Sequence, residues 1–180
     1  MAENKVSNDL STKLEDNELV ITRIFDAPRD LVFKVWSEAE HLENWWGPTG
    51  FKLSVKELDF RPGGSFHYNM QSPDGYEMWG KFVYHEIETP ERIVFVSSFS
   101  DPEGNIVRAP FSAAFPMEIR NLITFTETDG KTTLTLRGGP IKTKATEEEQ
   151  TFFKGMFESM KQGFGGTFDQ LDEYLTKVDQ

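Results

Sequence analysis

The sequence predicts an α+β fold: a curved antiparallel β-sheet of about six or seven strands wrapped around one long C-terminal α-helix, with two short helices after the first strand. Three observations predict it. Short runs rich in β-formers are punctuated by Gly and Pro turns over most of the chain. From Thr146 onward the apolar residues instead recur at steps of three and four. No internal repeat or low-complexity linker interrupts the order strand, helices, strands, helix. A length of 180 residues fits one domain with a sizeable core, so the organisation expected is a polar, poorly ordered tail over 1–17 (MAENKVSNDLSTKLEDN) and a single domain over 18–180.

The first strand is expected over 18–26 (ELVITRIFD). Pro28 then stands where an N1 proline opens a helix, with Leu31, Val32, Val35 and Trp36 on one face. A second short helix carries Leu42, Trp45 and Trp46. Strands follow over 51–60, 65–71, 76–87 and 92–100, separated at Pro62-Gly63-Gly64, Pro73-Asp74-Gly75 and Pro90, and such close turns favour antiparallel neighbours. Within 65–71, Phe66, Tyr68 and Met70 share the expected core face, while His67 and Asn69 take the other. The segment 101–116 (DPEGNIVRAPFSAAFP) is too rich in turn residues for regular structure, yet it carries Ile106, Phe111 and Phe115, which suits a flap over one end of the sheet. Two further strands, 118–127 and 132–137, are joined by Thr128-Asp129-Gly130-Lys131, a hairpin with an Asp-Gly turn.

For the last helix, Thr146 with Glu149 three residues on is a capping-box pattern, and Glu147, Glu148 and Glu149 put negative charge at the positive end of the helix dipole. Phe153, Phe157, Met160, Phe164, Phe168, Leu171, Leu175 and Val178 then form one apolar stripe, widened by Phe152, Met156 and Tyr174. Glycine inside a helix costs roughly 1 kcal/mol against alanine. Gly163 and Gly165 lie on the flanks of the stripe, where a missing side chain lets sheet or ligand come close; Gly155 and Gly166 lie on the back, where that argument fails.

Composition excludes several function classes. A formal net charge of −11, with no clustered Lys/Arg face, repels phosphate backbones and anionic headgroups, so neither nucleic acid nor a membrane is expected as partner. Cysteine is absent, which excludes disulfides and thiol chemistry and suits a reducing cytoplasm, the expected location. No stretch approaches the ~20 apolar residues of a membrane span. Sixteen Phe, four Trp and four Tyr make a heavy aromatic load, bulky enough to pack imperfectly around itself.

Several motifs together resemble the family related to the activator of the heat-shock-protein ATPase, within the START-like and pollen-allergen-like helix-grip superfamily. They are Phe25-Asp26-Ala27-Pro28, Trp45-Trp46-Gly47-Pro48, Asp59-Phe60-Arg61-Pro62-Gly63-Gly64, Glu86-Ile87 with Pro90-Glu91-Arg92-Ile93-Val94-Phe95, and Gly163-Phe164. The resemblance spans residues 19–175 and departs at Phe164, where the family often has Trp, so an aromatic is kept. It implies a helix laid across a strongly curved antiparallel sheet with a cavity between them. Helix-grip members include lipid carriers, hormone binders, cyclases and co-chaperone domains, so function stays open among these.

The residues themselves offer little catalytic chemistry. His41, His67 and His85 form no pair at helical metal-ligand spacing, and nucleophile-elbow, phosphate-loop and dinucleotide patterns are missing, so no metal and no cofactor is expected. Glu38, Glu40 and Glu43 with His41 can line a pocket mouth but sit where charged faces are usually solvated. Asp59 and Arg61, alternate residues on one strand beside a hairpin, can pair or orient a ligand carbonyl, and the structural role is the one expected.

The leading expectation is therefore a binding protein for a small, mostly apolar molecule, lipid-like or aromatic, held in the cavity by burial and one or two hydrogen bonds from Tyr68 or Arg120. The candidate lining is Trp46, Phe66, Tyr68, Trp79, Phe95, Phe99, Arg120, Phe125, Met160, Gly163, Phe164 and Phe168. The alternatives are a cyclase or dehydratase using the same pocket, and a co-chaperone whose acidic surface docks on a chaperone partner.

Overall fold

The computed structural model describes residues 11–178, which form nine strands and four helices in the helix-grip arrangement. In chain order these are β1 (Ser11–Glu15), β2 (Glu18–Phe25), α1 (Arg29–Ser37), α2 (Ala39–Trp45), β3 (Lys52–Leu58), β4 (Ser65–Gln71), β5 (Glu77–Glu88), β6 (Arg92–Ser100), β7 (Ile106–Val107), β8 (Ile119–Thr128), β9 (Lys131–Pro140), α3 (Glu147–Gly155) and α4 (Phe157–Val178). The strands make one sheet in the order β1-β2-β9-β8-β6-β5-β4-β3, with the short β7 added to β6. Every pairing is antiparallel. The two short helices carry the chain from β2 across to the far edge at β3, and the meander then returns until β9 closes onto β2.

The strands at 65–71 and 92–100 form as the alternation predicts, and Asp129 and Gly130, at φ 54° and 77°, make the tight turn between β8 and β9. Phe66, Tyr68 and Met70 face the core as expected. Their outward neighbour His67 is buried as well, because loop 101–105 folds back over it and the carbonyl of Asp101 lies 3.1 Å from Nε2.

The strand count is nine rather than six or seven because two short pairings were not foreseen. The tail expected over 1–17 in fact contains β1: Asp16 and Asn17, at φ 53° and 59°, form a two-residue turn that folds Ser11–Glu15 onto β2. Glu15 and Glu18 then oppose each other, and Arg137 holds both, at 2.9 Å and 2.6 Å. The expected disorder of residues 1–10 falls outside the described residues. The second pairing is β7, which lies inside the segment expected to lack regular structure. Pro28 is the residue before α1 rather than its first helical one.

The C-terminal helix is in two pieces. Thr146 makes the capping box with Glu149, but the helix stops at Gly155, and Met156, at φ −91° and ψ 11°, turns the chain into α4. Gly155 thus marks a break. Phe153, Phe168, Leu171 and Leu175 are buried against the inner face of the sheet; the stripe residues between them, Phe157, Met160 and Phe164, are only half-buried.

The close approach assigned to Gly163 and Gly165 belongs instead to Gly166. Nothing lies within 4 Å of where a Cβ would stand on Gly163 or Gly165, whereas one on Gly166 would be 2.8 Å from Thr49 Oγ1. The loop after α2 sits on α4 at this point: the Gly47 carbonyl accepts from Thr167 Oγ1 and Gln170 Nε2, both at 2.9 Å. The Trp45-Trp46-Gly47-Pro48 motif and the glycine in α4 are two halves of one contact.

Candidate functional site

Two glycines stand at inner-face strand positions beneath α4, each overlain by a side chain of the neighbouring strand. Gly80 on β5 is crossed by the ring of Tyr68 from β4; a Cβ there would stand 2.5 Å from the phenol oxygen. Gly138 on β9 is likewise crossed by Asn121 from β8, whose Oδ1 would lie 2.5 Å from a Cβ. Both glycines border a cavity of about 220 Å³ between the sheet and the two C-terminal helices. Phe82, Phe95, Leu136, Phe153 and Phe164 supply apolar walls.

The mouth is covered by the flap between β6 and β8. Phe115 stands 6.3 Å from both Phe99 and Phe153, with Phe111, 52% exposed, against its outer side. One guanidinium holds this arrangement: Arg108 donates to the carbonyls of Ala113 at 3.2 Å and Phe115 at 3.4 Å and to Glu149 Oε2. The other oxygen of Glu149 accepts from the Thr146 backbone N–H at 2.9 Å. A single carboxylate therefore caps α3 and fastens the flap. Its pKa is held below the ordinary glutamate value by the Arg108 hydrogen bond first, then by the Thr146 N–H.

Among the described residues that line the cavity, none carries a formal charge. Burial pushes the Tyr68 hydroxyl up to about 12, the Trp46 indole beside it pulling slightly the other way, so at neutral pH it keeps its proton and can donate. Asn121, only 5% exposed, donates through Nδ2 to Ser97 Oγ and to the Ile119 carbonyl, each at 3.0 Å. The interior is thus apolar with a neutral polar edge.

Six of the candidate lining residues meet at this cavity: Trp46, Tyr68, Phe95, Phe99, Met160 and Phe164. The other six do not. Phe66, Phe125 and Phe168 are packed in the core behind it, Phe66 against Tyr68 and Phe82, Phe125 against Phe33, and Phe168 against Phe25. Trp79 stacks on His67 on the outer face, Arg120 is exposed there, and Gly163 faces open space on α4. Trp79 and Arg120 each miss by one position, since the strand alternation turns their neighbours Gly80 and Asn121 inward. The Met78, Gly80, Phe82, Tyr84 series and the Ile119, Asn121, Ile123, Phe125 series were the signals that could have found them.

Several of the remaining sequence candidates have structural partners. Arg61 Nε lies 2.9 Å from both oxygens of Asp59. His41 Nδ1 meets the Tyr174 hydroxyl at 2.6 Å, tying α2 to α4, with Glu38 3.3 Å from its Nε2. Among the described residues no three His, Asp or Glu side chains form a metal-binding group, and no helix is long and apolar enough to cross a membrane.

The sequence matches the family described as Activator of Hsp90 ATPase homolog 1-like protein over residues 26–176. The crystal structure of protein Ms6760 from Mycobacterium smegmatis is similar, with 27% identity and a TM-score of 0.76 over 93% of this chain and 96% of that one. A solution structure of a protein from Arthrobacter aurescens shares the fold at 24% identity and a TM-score of 0.77, over 93% and 92% of the two chains. So does protein NE0264 from Nitrosomonas europaea, at 23% identity and a TM-score of 0.71 over 92% and 99%. No curated protein matches the sequence.

Proposed function

The chain belongs to the Activator of Hsp90 ATPase homolog 1-like protein family, and from that premise we propose that it binds a small, mostly apolar molecule between the sheet and α4. The observation that carries this reading is the cavity itself. A space of about 220 Å³ walled by aromatic and aliphatic side chains is larger than the ~150 Å³ hole that takes up benzene, and burying apolar surface there is favourable without any charge to satisfy. A cytoplasmic setting is part of the proposal, resting on the cysteine-free composition.

The test is a titration with naphthalene-sized probes followed by amide and methyl shifts. Saturable shifts at Met160 and Phe164, lost in the cavity-filling variant Ile119→Phe, are the expected result. Shifts that persist unchanged in that variant place the probe elsewhere and sink the reading.

Acid–base catalysis in the same pocket would fall to Tyr68, the titratable group among the described lining residues. Docking on a heat-shock ATPase is a second reading, supported by the family description. Stimulation of an Hsp90-type ATPase by the purified chain would establish it, and a flat response at saturating concentration would remove it.

A further inference from the structure

We infer that the ligand is neutral and carries a hydroxyl group, seated between Asn121 and Ser97, on an otherwise apolar body of about two fused rings. This rests on the cavity-binding reading above and adds what the polar edge of the cavity demands of its occupant.

Asn121 lies on the inner face of β8, in series with Ile119, Ile123 and Phe125, where an aliphatic residue would complete the core. Burying an amide is unfavourable unless its donors and acceptor are matched. Both donors are used, on Ser97 Oγ and the Ile119 carbonyl. Because that carbonyl can only accept, the atom facing it must be nitrogen, which fixes the orientation of the amide. Oδ1 is left, and among the described residues no donor reaches it. It lies over Gly138, the position whose missing Cβ gives it room.

Ser97 completes the pair. Its oxygen already accepts from Asn121, so its own proton is free to donate. At this edge the cavity therefore presents one acceptor, Asn121 Oδ1, beside one donor, the Ser97 hydroxyl, with the Tyr68 hydroxyl a separate donor over Gly80. A ligand hydroxyl satisfies both, giving its proton to the amide oxygen and taking one from the serine. An ether or ketone satisfies only the donor, and a hydrocarbon neither.

A charged ligand head is disfavoured for a separate reason. Neither a guanidinium nor a carboxylate is found among the described lining residues, so a carboxylate or ammonium would lose its hydration without gaining a counter-charge.

Four probes of nearly equal shape separate these terms: naphthol, methoxynaphthalene, naphthalene and naphthoate, titrated calorimetrically into the intact chain. Naphthol should bind about tenfold more tightly than methoxynaphthalene or naphthalene, and naphthoate should be the weakest of the four. Asn121→Leu should bring naphthol down to the naphthalene level while naphthalene itself binds no worse. Ser97→Ala, a smaller change, should reduce the naphthol preference in the same direction and serves where Asn121→Leu does not fold. Equal affinity for naphthol and methoxynaphthalene, or naphthoate binding best, overturns this inference and leaves the cavity reading standing. Failure of all four to bind overturns the cavity reading and this inference with it.

Discussion

Tyr68 lies across Gly80 so closely that a Cβ on the glycine would stand 2.5 Å from both Cζ and Oη of the ring. Phe66, 4.6 Å away, and Phe82, 5.7 Å away, centroid to centroid, restrict how far the ring can retreat. Gly80→Ala should therefore cost about 1–3 kcal/mol, the usual range for overpacking a core. Urea unfolding would measure it, and an unshifted midpoint would mean that the ring moves aside freely.

Gly163 and Gly166 of α4 should respond differently to alanine. Gly163 has open space where a Cβ would go, so Gly163→Ala should gain about 0.5–1 kcal/mol from helix propensity and reduced freedom of the unfolded chain. Gly166→Ala brings the same propensity but pushes against Thr49 and the loop that hydrogen-bonds to Thr167 and Gln170. It should show no gain in melting temperature; equal stabilisation by both changes would contradict the contact described.

The Glu149 carboxylate gives the fold an acid-sensitive component. Its folded pKa lies below the unfolded value, so the stability it contributes is present above about pH 4.5 and is lost as the pH falls through the lower folded value. Glu149→Gln should cost about 1 kcal/mol at neutral pH, given the half-exposed Arg108 partner, and should flatten the stability profile below pH 4.5. Urea midpoints of both proteins across this range check the sign.

Arg108→Met should free the flap without unfolding the sheet. Amide exchange over residues 108–117 should accelerate, while β8 and β9 keep their protection. Uniform acceleration across the chain would show that Arg108 supports the whole fold rather than the cavity mouth.

How much of this was legible depended on the range of the signal. The Asp129-Gly130 hairpin, the Thr146 capping box and the apolar stripe after it are local, and they are found where the sequence puts them. The β1 turn was also local, but Asp16-Asn17 sits in a polar stretch whose composition masked it. Gly166 could not be read correctly, because its reason is a loop more than a hundred residues earlier. Arg120 and Trp79 have the chemistry of lining residues but the wrong parity, and the sheet's two-residue period puts Asn121 and Gly80 inside instead.

The pairing of β2 with β9, with Leu19 opposite Gly138, has a consequence for how the chain is made. The second strand must wait for nearly the whole sheet to be synthesised before its inner neighbour exists, and the helix that fills the concave face arrives later still. Contacts so distant in sequence slow folding and leave apolar strand edges uncovered in the interim. A ribosome-bound chain ending before residue 140 should therefore be a good client for chaperones, whatever the finished protein binds.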